Sequence, residues 1–492
     1  MRAAGCLAVV LVLMLPTAAT AADSPLIAAI KAGDQATVRR LAVRRASVAT
    51  PEADGTTALH WAVQGNDAAI VQLLLRAGAK PDAANRLGVT PLAIAALNGS
   101  PSVVGMLLEA GAKADARMAE GQTVLMAAAR AGNADVITRL LAAGADANAR
   151  EEVAGETALM WAALEDHADA VKVLVAHGAD RNARSNALTF SRFKFGDGIV
   201  ARPTVLPKGG WTPLMYAARQ NAIAAAQALA EAGADLNATD PDGTTALTFA
   251  IINAHYDLAA MLVAKGADPD VADVSGMTAL YAAVEMHTLE ETVGRPNPKP
   301  HSRASIPELV RAMLAHGANP NARLTAPILD RVHNDGDVNL GEGATSLMRA
   351  VKDADLALTR LLLDGGADIG LRTQNRKTAL MFAASRLNGF RGAANRGMEK
   401  AAAETIALLV ERGAAINAVD EAGQSALHLA AARAEANVVR QLTASGAALD
   451  LKDVQGRTPL DLALGVGGRG RGGEPPAARR EVAALLRELV GR

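Results

Sequence analysis

The stretch GTTALHWAVQGNDAAIVQLLLRAGAKPDAANRLG, Gly55 to Gly88, sets out the plan of the chain. Thr57 puts a hydroxyl just ahead of an apolar run, where a side-chain oxygen satisfies the open N–H groups of a helix start. ALHWAVQ supplies one short helix and Asn66 a residue tolerant of left-handed backbone. DAAIVQLLLRAGA supplies a second helix that stops at Gly78. KPDAANRLG leads out as a short extended hairpin, and at Gly88 the pattern begins again.

Aligning on Gly55 recovers equivalent starts at Gly88, Gly121, Gly155, Gly210, Gly243, Gly276, Gly343, Arg376, Gly423 and Gly456. Most steps are 33 residues, a period with two helical patterns per unit, and this marks a solenoid rather than the several domains expected from 492 residues. One column holds Thr57, Thr90, Thr123, Thr157, Thr212, Thr245, Thr278, Thr345, Thr378, Ser425 and Thr458, a hydroxyl cap for every first helix. Pro91, Pro213 and Pro459 follow at the first helical position, where a missing N–H costs nothing. Asn66, Gly99, Gly132, Asp166 and Asn221 stand where the turn between helices needs a left-handed residue. Gly78, Gly111, Gly144, Gly178, Gly233 and Gly266 close the second helices. Half of the residues are hydrophobic but only 2% are aromatic, so the core is built from Ala, Leu and Val, which suits closely packed helices. The fold class read from this pattern is all-α.

The repeated units, GTTALHWAVQGNDAAIVQLLLRAGAKPDAANRLG and GQSALHLAAARAEANVVRQLTASGAALDLKDVQG among them, resemble ankyrin repeats over nearly the whole chain. The resemblance implies an ankyrin-repeat solenoid of helix-turn-helix plus hairpin finger per 33-residue unit. It also implies a protein-binding role, with the fingers and first helices lining a concave groove. One departure stands out. The His usual in the first helix survives only at His60 and His428, and Met replaces it at Met126, Met160, Met215, Met348 and Met381. The polar half of the helix-capping arrangement is expected to be lost there. The methionines read as flexible filler between repeats rather than a binding surface or a metal site.

Longer steps locate insertions. Enlarged loops fall near 181–209, 287–306, 322–342 and 386–402, within repeats spanning 55–455; residues 23–54 read as amino-terminal capping helices and 456–492 as a carboxy-terminal capping repeat. The first loop contains TFSRFKFGD, with Phe190, Phe193 and Phe195 between Arg192 and Lys194, and ends beside Trp211, expected to be exposed after Gly210. Six cations, Arg181, Arg184, Arg192, Lys194, Arg202 and Lys208, face only Asp197 in this loop. Aromatics interleaved with cations make Phe190, Arg192, Phe193, Lys194, Phe195 and Trp211 candidate partner-binding residues. The competing reading is a phenylalanine plug packed onto neighbouring repeats with the cations solvated. In the third loop Asp335, Asp337 and Asn339 have calcium-loop spacing, but Leu340 and Ser346 stand where the turn glycine and closing Glu belong, so a solvated turn is expected.

The first 22 residues read as a secretory signal: Arg2, an apolar run from Leu7 to Leu15, then Ala19-Thr20-Ala21 as a cleavage site. Cys6 leaves with it, so the mature chain holds no cysteine for disulfides or thiolate metal sites. The remaining 49 basic and 51 acidic residues give net −2, and no basic excess points to nucleic acid. No phosphate loop, nucleophile elbow or zinc-protease helix occurs, and the histidines are dispersed; His177 and His316 share one repeat position. The expectation is therefore no catalytic residues, no metal, no cofactor and no membrane span after signal cleavage. The expected protein is an exported monomer, periplasmic or secreted, that binds a protein partner. The alternatives are a secreted effector acting on a host protein and, from another class, a hydrolase with the fingers as a lid. Export predicts a mature chain beginning at Ala22 or Asp23; an intact mass of native protein that still includes Met1 and Cys6 would contradict it.

Overall fold

Each capping hydroxyl seeds a helix pair. In the computed structural model, which describes residues 24–194, 202–288, 302–326, 340–385, 396–466 and 477–491, all eleven accept the N–H of the residue three positions on. The distances run from 3.2 Å at Thr90 to 3.4 Å at Ser425. First helices such as Ala58–Gln64, Pro91–Leu97 and Ala246–Ile252 are each followed by a second, Ala68–Arg76, Pro101–Glu109 and Tyr256–Ala264. The chain divides into two compact units, Met1–Ala162 with Asp169–Asp180, and Ala163–Ala168 with Arg181–Arg492.

Burial follows the same register. Leu59, Leu92, Leu125 and Leu159 in one unit, and Leu214, Leu247, Leu280, Leu347, Leu380 and Leu427 in the other, share one column and are all buried. Small Ala residues beside them let successive helices approach, as at Ala95, Ala128, Ala217 and Ala250. Neighbouring units are also stitched by side chains. The amide oxygen of Asn148 accepts the Asp180 N–H at 2.8 Å, Asn237 accepts that of Asp268 at 2.8 Å, and Asn417 that of Ala448 at 2.8 Å.

The histidine column does two jobs. His60 Nδ1 accepts the Thr57 N–H at 3.1 Å, closing the capping box, while Nε2 lies 3.0 Å from the Val89 carbonyl in the next finger. His428 repeats this with Ser425 and Arg457, at 3.2 and 3.1 Å. Burial pushes the pKa of both imidazoles down, which keeps them neutral and able to serve in this way. Methionine corrects the sequence expectation in part. Met126 and Met215 Sδ each take the cap N–H, of Thr123 and Thr212, at 3.4 Å, so a weak version of the capping bond survives. A thioether has no second polar atom, so what it gives up is the bond to the following finger. All five methionines of the column are buried, which fits filler and not a binding surface.

The first and last described helices are each held by side-chain contacts. At the start, Asp34 caps Gln35–Ala42, and a separate short helix, Arg45–Ala49, follows. Lys31 pairs with Glu52 at 2.5 Å, and Glu52 also accepts from Trp61 Nε1 at 2.8 Å. At the other end Ala477–Val490 is amphipathic and is held through Arg440 to Glu481 at 2.8 Å. Among the described residues no helix is long and apolar enough to cross a membrane.

Backbone geometry explains the glycines and their exceptions. At Gly243, φ is +82° and an added Cβ would stand 2.8 Å from Asp273 Cα, so both conformation and close approach require glycine. Arg376 fills the equivalent position of the ninth unit at φ +60°, and Ala434 takes the helix-helix turn at φ +62°, as Ala254 and Ala354 do in their units, where the others described use Asn, Asp or Gly. Arg376 and Ala434 both place a Cβ in left-handed backbone, a strained arrangement. Arg376→Gly and Ala434→Gly are expected to raise stability by about 0.5–1 kcal/mol each in urea denaturation; a loss at both sites would contradict this account of the turns.

Candidate protein-binding face

The enlarged finger is a two-stranded antiparallel ribbon, β1 (Leu188–Lys194) paired with β2 (Arg202–Lys208). Its register sets Leu188 opposite Lys208, Phe190 opposite Leu206, Phe193 opposite Pro203 and Lys194 opposite Arg202. Phe190, Arg192 and Lys194 fall at one parity of the ribbon and Phe193 at the other. Phe195 lies outside the described residues, as do Asp335, Asp337, Asn339, His301 and His333.

The base of this finger is fixed by backbone. The Ser185 N–H donates to the Trp211 carbonyl at 3.0 Å, the Trp211 N–H donates to Ser185 Oγ at 3.1 Å, and the Gly210 N–H donates to the Asn186 carbonyl at 3.2 Å. Two of the six loop cations belong to this scaffold. Arg181 Nε donates to the Gly233 carbonyl at 2.8 Å, and Arg184 donates to the carbonyls of Gly210, at 3.1 Å, and Thr239. They tie the finger base to the following repeat and are not simply solvated.

Trp211 differs from its expectation. Rather than standing exposed it is half-buried, with the rings of Tyr216 and Phe249 edge-on to it, each with its centroid 5.5 Å away. The Arg219 guanidinium lies 4.8 Å from its ring centre. Its Nε1 is buried without a hydrogen-bond partner. The cause is the column it meets: Tyr216 and Phe249 occupy the sixth place after their unit starts, and Trp211 folds across both. The Trp211 side chain is thus part of the packing beside the finger base.

That sixth-place column is the feature sequence reasoning passed over. It reads Trp61, Ile94, Ala127 and Trp161 in one unit, and Tyr216, Phe249, Ala282, Arg349, Phe382, Leu429 and Leu462 in the other. Five of the chain's twelve aromatics stand in it, which the alignment on Gly55 would have exposed had the column after the histidine been read down. Trp161 and Arg349 show what the column does. Trp161 is 9% exposed, and the Arg130 guanidinium sits 5.6 Å from its ring centre. Arg349, also buried, donates to Thr288 Oγ1 at 2.9 Å and to the Thr288 carbonyl at 3.1 Å. Nearby, His287 Nε2 meets Asp355 Oδ2 at 3.0 Å; burial raises the Asp355 pKa, but the bonds from His287 and the Leu358 N–H outweigh it and leave it lowered. Fingertips add exposed apolar groups at Leu87, Val153, Val274 and Val454.

His177 and His316 each place Nδ1 2.8 Å from the carbonyl one turn back, Val173 and Ala312, matching their shared repeat position. Among the described residues no three His, Cys, Asp or Glu side chains converge as a metal site.

Comparison with known proteins gives the following matches. The model of the family described as ankyrin repeats matches residues 3–293 and 392–469 in overlapping copies. Neurogenic locus notch homolog protein 1 of Xenopus tropicalis is 34% identical over 104 residues, 21% of this chain, and the Neurogenic locus Notch protein of Drosophila melanogaster is 36% identical over 104 residues, 20% of this chain. Both matches span only 4% of those proteins' own length. The crystal structure of the ankyrin repeat domain of Bcl-3, titled a unique member of the IkappaB protein family, is 29% identical, covers 46% of this chain and 94% of its own, and superposes with a TM-score of 0.38. The caps, turns, fingers and matched residues together establish that the chain belongs to the ankyrin-repeat family.

Proposed function

We propose that the chain is an exported scaffold that binds a protein partner across its first helices and fingers, with the enlarged finger at Leu188–Lys194 and Arg202–Lys208 as a principal contact element. The observation that supports this reading best is the division of labour within each unit. Leucine, alanine and the capping hydroxyls are spent on stacking, whereas the sixth-place column and the fingertips vary from unit to unit and carry aromatics, Arg349 and exposed Leu87, Val153, Val274 and Val454. Variable groups on a rigid scaffold are where recognition is built. The aromatic content of the finger and its cations Arg192 and Lys194 fit an acidic partner surface with apolar anchor sites.

Trp211 and the finger phenylalanines separate scaffold from contact. Trp211→Ala removes a packed ring and is expected to lower stability by about 3 kcal/mol. Replacing Phe190, Phe193 and Phe195 together by Ala is expected to leave the melting transition in place and weaken binding of the partner recovered from the native envelope by at least about 2 kcal/mol, with association slowing as salt rises. Unchanged affinity with a lowered or split transition would show a packed plug and remove the finger from the contact surface. Recovery of native protein only with the cytosolic fraction would contradict export.

A further inference from the structure

We propose that the compact unit formed by Met1–Ala162 and Asp169–Asp180 holds a specificity pocket for one aliphatic side chain, Val or Leu in size, carried by an acidic extended segment of the partner. This rests on the protein-binding reading and gives it a chemical preference. In the sixth-place column, Ala127 stands between Ile94 and Trp161. A small residue between two large ones leaves a dent of about 40 Å³, walled mainly by Val89, Ile94, Leu97, Met118 and Trp161, with Gln122 and Arg130 at its polar side. A water-sized group needs about 10–15 Å³ of such space, so the dent takes roughly three carbon-sized groups, the branched end of Val or Leu. An alanine methyl underfills it and an aromatic ring does not fit.

Charge chooses the segment around that side chain. Trp161, nine-tenths buried, forms one wall with its ring. Arg130 lines the same dent and lies against the Trp161 ring; it is the one charged side chain among the lining residues, and Gln122 is the one neutral polar side chain. A negatively charged segment is drawn to this rim, whereas a cationic one meets Arg130 with like charge.

The test is a titration of the purified full chain. Its three tryptophans give three indole N–H signals in nitrogen-15 spectra, and Trp161→Phe identifies the one that matters. The probes are acetyl-Glu-Leu-Glu-amide, acetyl-Glu-Ala-Glu-amide and acetyl-Lys-Leu-Lys-amide. The first is expected to shift the Trp161 signal saturably and to bind at least about tenfold more tightly than either of the others. Ala127→Leu, which fills the dent from its own floor, is expected to abolish that response while the other indole signals keep their positions. Arg130→Glu is expected to reverse the preference between the acidic and basic leucine peptides. No Trp161 response to the acidic leucine peptide, or an equal response to all three, overturns the pocket. That failure would leave the scaffold reading standing, because binding of the native partner is measured separately; a partner that binds wild type and Ala127→Leu equally well would likewise remove the pocket alone.

Discussion

Helices of seven to nine residues do not persist alone in water, and the architecture is an answer to that constraint. A hydroxyl on every first helix ties down an open N–H, and the buried leucine column supplies the apolar contact that a single unit cannot make within itself. Asparagine side chains such as Asn148 and Asn237 then bond the backbone of the next repeat. Each unit is therefore stable only because it has neighbours. The histidine and methionine variants of one column show how far this tolerates change: His60 bonds its own cap and the next finger, whereas Met126 keeps only a weak cap bond and fills space instead.

Because stacking consumes so few positions, the remainder of each first helix is free to differ. The sixth-place column is where it does so, from Ala127 to Trp161 in one compact unit and from Tyr216 to Arg349 in the other. The binding role proposed here rests on that variation and on the fingers. The base of the large finger follows the same logic: Arg181 and Arg184 grip carbonyls of the following repeat, and Trp211, whose backbone pairs with Ser185, packs against Tyr216 and Phe249.

The parts legible in the sequence were those fixed by local backbone chemistry. Thr57 and its equivalents, the turn residues Asn66, Asp166 and Asn221, and the closing glycines need only their own neighbours to be read, and the structure has all of them in the expected roles. What escaped was set by contacts between distant residues. Nothing beside Trp211 in the chain announces that Phe249 will lie against it, and nothing beside Arg181 points to the Gly233 carbonyl. The break between Gln35–Ala42 and Arg45–Ala49 was hidden because arginine-rich sequence continues through it without a turn residue. The pocket beside Trp161 was illegible for the same reason, since it exists only where three successive units bring Ile94, Ala127 and Trp161 side by side.

The central claim is that one face, made of first helices and fingers, does the binding while second helices only support it. Hydrogen–deuterium exchange of the full chain, free and saturated with the partner recovered from its native envelope, addresses this directly. The account predicts added protection in first helices such as Pro91–Leu97 and Val124–Ala131 and in the β1–β2 finger, with second helices such as Ala68–Arg76 and Ala134–Ala142 unchanged. Protection concentrated in the second helices, with the fingers and first helices exchanging as in the free chain, would contradict it.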